Sequence, residues 1–173
     1  MADPTKFSEL ETAAKRYGEL SLENYSRIRG LAERIASGLC RYMGHREKCV
    51  YLVPPDGPWS PNPYDSAAFS VAGQGFLPLA PIAFGLAVRV SESGDWLRLV
   101  LECSKSGHDL NVAIRHGRSF NLSEPVDESE LQDLFDHLHA HLVGWFNEQS
   151  DHYEHGEYGG QDIGFDFLNR DGD

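Results

Sequence analysis

Residues 82–122 decide the fold, and they read IAFGLAVRV (82–90), WLRLVLEC (96–103), LNVAIR (110–115) and RSFNL (118–122). In each run, apolar side chains alternate with small or polar ones, which is the pattern of β-strands that bury one face. Ser-Gly or His-Gly pairs lie in the gaps between the runs and favour the tight turns of hairpins. The stretch therefore predicts an antiparallel meander in which each strand pairs with the next.

Helical patterns precede this meander. An apolar stripe at helical spacing extends over about 21–43, and Gly44 suits a left-handed C-terminal cap. A shorter helix is predicted over 8–17, with Ser8 as its N-cap and Gly18 as the residue that ends it. We therefore expect two consecutive helices before the sheet.

A capping box predicts a second long helix after the meander. Asp127 suits the N-cap, Glu130 follows three residues later, and an apolar stripe runs over 128–147. The run 48–53 adds a first strand. The expected fold class is α+β: an antiparallel meander sheet of four to six strands, with the N-terminal and the C-terminal helix packed on one face.

The acidic charge of the chain is concentrated near its C-terminal end. The 173 residues carry a net charge of −12, and residues 148–173 contain eight acids against one base. We expect a single domain over 1–149 and an acidic tail over 150–173, and removal of the tail should leave a folded body. Because the body is only mildly acidic, a broad nucleic-acid-binding surface is not expected.

The cysteines and the hydropathy pattern predict a cytoplasmic protein. Cys40, Cys49 and Cys103 lack metal-ligand spacing and are expected to be reduced. No apolar run reaches the length of a membrane span, and the first residues lack the pattern of a signal peptide. Cys103 lies in step with the apolar side of its strand, so it is interpreted as a small core side chain.

The segment 54–81 has a composition of its own. It contains seven of the nine prolines, several aromatic residues and two charged ones. Long irregular segments are usually lids, binding loops or ordered cover. Trp59 and Tyr64 are candidate partner-binding side chains on this loop, and the alternative is that its aromatic residues hold it over an open edge of the core.

A candidate anion site lies on the polar face of the predicted meander, and its residues are Arg89, Arg98, Arg115, His116 and Arg118. A two-residue turn at 116–117 would set Arg115 directly opposite Arg118. Such a pair costs up to about 1 kcal/mol, unless an anion or a carboxylate lies between the two guanidinium groups. The acidic tail is one candidate partner for these arginines, and an external phosphate or carboxylate is the other.

Histidines give a weak metal pattern on the second long helix. Asp133, His137 and His141 follow at intervals of four residues and share a helix face. This face is largely opposite the apolar stripe, so surface histidines are the simpler interpretation. Neither a metal nor another cofactor is expected.

The tail contains one more strand pattern. Ile163, Phe165 and Phe167 alternate with small or acidic residues, and Asp166 lies between the two phenylalanines. Such a strand can add to the edge of its own sheet or to a partner's sheet. The three apolar residues are therefore candidate partner-binding side chains.

Two classes of function are compatible with these patterns. The leading hypothesis is a non-catalytic cytosolic protein-interaction module of an adaptor, inhibitor, immunity-type or chaperone-like kind. Its partner is another protein, with a basic surface as one option. The alternative is a small-ligand protein, an anion-binding protein or an enzyme that uses the cleft between loop 54–81 and the arginine-bearing sheet face. There, His108 or His116 would titrate.

Overall fold

The structure, a computed structural model, describes residues 3–158 and 165–168 and confirms the α+β class. The elements in chain order are α1 (Lys6–Met43), β1 (Val50–Val53), a 3-10 turn (Asp65–Ala68), β2 (Ile82–Arg89), β3 (Trp96–Ser106), β4 (Asp109–Ile114), β5 (Ser119–Ser123), α2 (Glu128–Glu154) and β6 (Phe165–Phe167). In this part of the chain, neither helix has an apolar stretch long enough to cross a bilayer.

The described strands form one antiparallel sheet. Its order is β1-β2-β3-β4-β5, so the predicted meander is confirmed. The central strand β3 has 11 residues, and only its second half, from Leu101 onward, pairs with β4. On the same side of β3, β6 pairs with the first half, from Leu97 to Leu99. The tail strand therefore occupies the flank of β3 that β4 leaves open.

The core lies between one face of the sheet, which we call the inner face, and the two helices. It includes Ile28, Ile35 and Leu39 of α1, Phe84 and Leu86 of β2, Leu99 and Leu101 of β3, and Leu134 and Leu138 of α2. All of these side chains are almost completely buried. Each buried aliphatic or aromatic side chain stabilises the fold by about 1.5–3 kcal/mol relative to the exposed state.

The predicted break at Gly18 is wrong, because α1 is a single helix of 38 residues. Its N-cap is Thr5 rather than Ser8, and the Ser8 backbone N–H donates to Thr5 Oγ1 at 3.0 Å. A glycine inside a helix costs about 1 kcal/mol, and strong helix-forming residues on both sides of Gly18 outweigh that cost. The helix ends as predicted at Gly44, which has a φ of 76°.

The second helix also extends beyond its predicted end. α2 begins at Glu128, after the N-cap Asp127, and ends at Glu154 instead of 147. It therefore crosses from the predicted domain 1–149 into the predicted tail. The division at 149/150 stays a prediction, but the backbone is helical on both sides of it.

The turn between β4 and β5 is longer than predicted. Ala113 pairs with Ser119, and the Ile114 N–H donates to the Arg118 carbonyl at 3.0 Å. The loop therefore contains Arg115, His116 and Gly117, and Arg118 lies opposite Ile114. The predicted direct opposition of Arg115 and Arg118 is wrong, because one additional loop residue shifts the register.

The predicted reduced state holds only for Cys103 in this structure. Cys40 and Cys49 form a disulfide, with their Cα atoms 5.5 Å apart, and Cys103 is free and buried. The chain reverses at Gly44, which brings the last turn of α1 next to the residue that precedes β1. Sequence spacing alone did not indicate this pairing, because the reversal is what brings the two residues together.

Loop 54–81 covers part of the opposite, outer face of the sheet. A Cβ atom at Gly85 in β2 would lie 3.0 Å from the carbonyl oxygen of Pro54, so the loop backbone crosses directly over this glycine. Phe69 is buried and forms an isolated bridge with Phe84. Phe76 instead stacks on Tyr17 of α1, with ring centroids 5.4 Å apart. The loop therefore contacts both the sheet and the first helix.

Candidate functional site

Arg98 of β3 is a buried hub that joins three parts of the chain. Its Nε and Nη2 donate to the two carboxylate oxygens of Asp166 in β6, at 2.9 and 3.0 Å. Its Nη1 donates to the carbonyl oxygens of Pro54 and Gly57 at 3.0 and 2.9 Å. The guanidinium also lies 5.5 Å from the ring centroid of Trp59. Arg98 therefore holds loop 54–81 and the tail strand on the sheet. Because its guanidinium is already bonded within the chain, it is not free to bind an external anion.

The other arginines of the predicted anion site are separated from Arg98 or already paired. Arg115 donates to Asp56 at 2.8 Å, and this bond holds the pKa of Asp56 below its usual value. Arg89 pairs with Glu47 at 3.0 Å near the opposite edge of the sheet. His116 and Arg118 are exposed, and His116 adopts a φ of 60° in the turn. The structure therefore does not gather the five residues into one anion site.

The predicted partner-binding side chains of the tail contact this same chain. Phe165 and Phe167 lie with Trp145 of α2 in an aromatic cluster, at centroid distances of 4.9 and 5.9 Å. Trp59 donates through Nε1 to Asp166 at 3.2 Å, so it is part of the Arg98 network. Ile163 lies outside the described residues.

The weak metal candidates are separated from further ligands. His137 is half-buried beside Phe120, and His141 is also half-buried on the same helix. Burial lowers the pKa of His137, and the neighbouring charges of His141 and Arg118 act in the same direction. Among the described residues, no three His, Cys, Asp or Glu side chains are placed to hold a metal ion. Burial also raises the pKa of the Cys103 thiol to about 12, which disfavours a thiolate.

A different site is present at the outer edge of β1. This strand pairs with β2 on one side, and on its other side no strand of the described residues pairs with it. The Arg89 N–H donates to the Cys49 carbonyl at 2.9 Å, so Cys49 and Arg89 are a hydrogen-bonded pair of the β1–β2 ladder. Because hydrogen-bonded pairs alternate, Tyr51 and Val53 direct their backbone groups to β2, whereas Val50 and Leu52 direct theirs outward.

These outward groups face a groove of about 460 Å³, which we call the β1 groove. Its floor is Val50, Tyr51 and Leu52; one side is the last turns of α1 with the 45–48 segment, and the other is Pro63, Tyr64 and Asp65. Tyr64, one of the predicted partner-binding residues, lies here. Its hydroxyl accepts a hydrogen bond from the Ser60 N–H at 3.2 Å, which fixes this side of the groove.

The 45–48 side of the groove is held by several bonds. The Cys40–Cys49 disulfide ties the segment to α1, and the Glu47 N–H donates to His45 Nδ1 at 3.2 Å. Glu47 also pairs with Arg89, as described above. The backbone that presents the neighbouring basic side chains is therefore anchored at both ends.

The charge that the groove offers is positive. Three bases line it, and two of its three acids are already paired, since Glu33 bonds Arg29 at 3.2 Å and Glu47 bonds Arg89. Lys48 lies 4.4 Å above the ring of Tyr51. In the described part of the chain, neither Arg41 nor Arg46 has a carboxylate within ion-pair distance. The bases of this site are Arg41, Arg46 and Lys48, and the remaining acid is Asp65.

These basic residues were not predicted from the sequence as a site. Their signal is the basic run Arg41-Tyr-Met-Gly-His-Arg-Glu-Lys48, which precedes the first strand of an otherwise acidic chain. That the strand lies at a sheet edge follows only from the topology. Comparison of the chain with protein families, with curated proteins and with solved structures found no match.

Proposed function

We propose that this protein is a non-catalytic protein-interaction module that binds an extended, acidic peptide segment along β1. The observation that carries the proposal is the edge of β1 beside the β1 groove, where Leu52 directs its backbone groups outward; Val50 also lines the groove but is only 1% exposed. An added strand would satisfy these groups, and the groove between strand and helix would take alternate side chains of the peptide. The peptide then extends the β1–β5 sheet by one strand, next to β1.

The charge of the groove argues for acidic side chains in the partner. Arg41, Arg46 and Lys48 have no carboxylate partner among the described residues, whereas the chain as a whole has a net charge of −12. The local positive charge attracts acidic segments, although the rest of the surface, which is net negative, repels them. The earlier option of a partner with a basic surface rested on the tail, and in the tail Asp166 is already bonded to Arg98.

The alternative function, an anion site on the arginine-bearing sheet face, has less support. The bonds of Arg98, Arg115 and Arg89 are described above, and a ligand would have to replace one of these internal partners. Asp166 accepts two hydrogen bonds from the buried Arg98, and the loss of such a charged partner costs about 1–3 kcal/mol. Binding at the β1 groove requires no such replacement.

Location in the cytoplasm is a further part of the proposal that rests on composition alone. A persistent Cys40–Cys49 disulfide is more typical of oxidising compartments. Thiol titration of the protein purified without reductant measures how much of this pair is oxidised.

The test of the binding mode uses Leu52, because its N–H points away from β2. Leu52→Pro removes one outward donor and no bond of the β1–β2 ladder, and proline is tolerated on edge strands. Leu52→Val keeps the donor and is the matched control. The probe is a displayed library of random ten-residue peptides, and selected peptides are then measured by fluorescence anisotropy.

We expect the selected peptides to be enriched in Asp and Glu. Leu52→Pro should weaken their binding by up to about tenfold, which corresponds to the net contribution of the one hydrogen bond that is lost. Arg46→Glu should do the same, and Leu52→Val should bind like the parent protein. Selected peptides without acidic enrichment, or whose binding is equal in Leu52→Pro and Leu52→Val, would refute the proposal.

A further inference from the structure

The first half of α1 carries an apolar stripe that the described residues 3–158 and 165–168 leave uncovered. The buried residues of α1 begin at Ser21, whereas Phe7 and Leu10 are 72% and 67% exposed. At about 1.5 Å per residue, residues 6–20 form roughly 20 Å of helix. An isolated helix of this length is marginally stable in water, so packing against another surface would stabilise it.

The spacing of this stripe is that of a helix-pairing surface. Phe7, Leu10, Ala14 and Tyr17 are separated by three, four and three residues, which is a heptad pattern. The same phase continues toward the C-terminus through the buried residues Ser21, Ile28, Leu31 and Ile35. The face that packs in the core thus extends onto the exposed half of the helix.

The C-terminal end of the exposed stripe, at Tyr17, packs against loop 54–81. Tyr17 stacks on Phe76, and its hydroxyl accepts a hydrogen bond from the Leu79 N–H at 2.7 Å. Phe76 is nevertheless 63% exposed and Leu79 is 46% exposed. Aromatic residues therefore stand at both ends of the stripe, Phe7 at one and the Tyr17–Phe76 stack at the other.

We propose that two copies of this chain associate through residues 6–20 of α1, packed antiparallel about a twofold axis near Thr12. In antiparallel pairing, the first core position of one helix meets the second core position of the other. A single register then places Phe7 against Tyr17 of the second copy and Leu10 against Ala14 of the second copy. Each contact occurs twice, so the interface is closed and self-complementary.

The charges of this segment suit a second copy. Residues 3–20 contain four acids and three bases, for a net charge of −1 within a chain of −12. Two copies therefore meet here with less repulsion than at a surface of average charge.

The available apolar area matches what a stable dimer needs. The exposed parts of Phe7, Leu10, Tyr17, Phe76 and Leu79 amount to roughly 500 Å² per copy, given that an aromatic side chain buries about 150–250 Å². A standard interface buries about 800 Å² per partner, of which rather more than half is apolar. The polar flanks of the two helices supply the remainder.

Sedimentation equilibrium of the full chain over a micromolar to millimolar range tests the proposal. The parent protein should have twice the mass of one chain at high concentration. Phe7→Glu with Leu10→Glu should weaken dimerisation by more than about a hundredfold, as expected when central apolar contacts are lost. Leu22→Glu is the matched control, because Leu22 is 57% exposed but lies off the stripe, and it should leave the mass unchanged.

Circular dichroism verifies that every variant is folded. A parent protein that stays monomeric throughout, or a dimer that persists in Phe7→Glu with Leu10→Glu, would overturn the proposal.

Discussion

Gly38 of α1 lies directly against α2. A Cβ atom there would lie 2.6 Å from Cζ of Phe135, a buried ring of α2. Gly30 lies on the same helix, and a Cβ atom at that position would have nothing within 4 Å. Both glycines are therefore in the interior of α1, but a side chain at Gly38 would clash with Phe135 and one at Gly30 would not.

We expect Gly38→Ala to destabilise the protein and Gly30→Ala to stabilise it. Overpacking a core costs about 1–3 kcal/mol, which exceeds the roughly 0.5–1 kcal/mol that alanine gains over glycine in a helix. Gly30→Ala should show only the gain. Urea denaturation measures both, and a Gly38→Ala variant that is as stable as Gly30→Ala would mean that α1 and α2 do not pack at this distance.

His137 makes the stability of the protein depend on pH. Burial lowers its pKa in the folded state, helped by the charges of His141 and Arg118, while an unfolded histidine titrates near pH 6.5. The unfolded state therefore binds more protons as the pH falls below about 6.5. The stabilising contribution of neutral His137 is complete above that value and is lost as the pH falls through the lowered folded pKa.

We expect the free energy of unfolding to fall more steeply between pH 7.5 and pH 5 in the parent protein than in His137→Gln, which cannot take up this proton. Denaturation curves at several pH values measure the difference. His152→Gln is the control, because His152 is part of the last turn of α2 and lies beside Glu148. Parallel curves for the parent and His137→Gln would contradict the assignment.

For single residues, the sequence predicted the face of the strand on which a side chain lies better than it predicted the residue that the side chain bonds. The alternation placed Arg98 on the polar face of β3, and the acidic tail was one candidate partner for the arginines of this face. The pattern did not indicate which acid pairs with which arginine, and Arg98 pairs with Asp166, 68 residues away. The same limit applies to Arg115, because one loop residue decides whether it faces Arg118. Pairings of this kind depend on register and on long-range contacts rather than on local composition.

Among the elements, β6 has one of its two predicted roles, because it pairs with its own sheet rather than with a partner's. The sequence also predicts that removal of 150–173 leaves a folded body. In the structure, β6 supplies the carboxylate for Arg98 and two rings against Trp145. The carboxylate pair joins a side chain that is only 10% exposed to one that is 48% exposed, so solvent screens it in part.

We expect Asp166→Asn to destabilise the protein by about 1–3 kcal/mol, the range for leaving a buried charged donor without its anionic partner. Truncation after Tyr158 should cost more, because it also removes the phenylalanines. Glu157→Gln, a change to an exposed acid nearby, is the control for net charge. An Asp166→Asn variant as stable as Glu157→Gln would show that β6 does not hold Arg98.

Element types were predictable because periodicity reflects burial on one face. The strands of the meander and both caps, Gly44 and Asp127, are where the patterns placed them. The predicted break at Gly18 does not occur, because the cost of a glycine inside a helix, about 1 kcal/mol, is outweighed by the helix-forming residues around it. The extension of α2 to Glu154 has a similar cause, since its last turns carry polar residues without a periodic signal.

At the scale of the whole molecule, the candidate sites are defined by what the fold leaves uncovered. Sequence patterns indicate that β1 and α1 are amphipathic, but they do not indicate that β1 ends the sheet or that Phe7 lies beyond the body. The β1 groove combines residues of α1, β1 and loop 54–81, which are adjacent only after folding. For this reason the basic run 41–48 was not recognised as part of a site.

The position of β6 on β3 has a consequence for the order of folding. The hairpins of the meander connect residues that are close in sequence, whereas Arg98 and Asp166 are 68 residues apart. Contacts of long sequence separation form late, because closing the intervening chain costs entropy before any contact is gained. Until then, the flank of β3 at Leu97–Leu99 is an unpaired strand edge, which is prone to aggregate and can bind chaperones. We therefore expect a slow final folding step, after which the backbone amides of this flank are protected from hydrogen exchange.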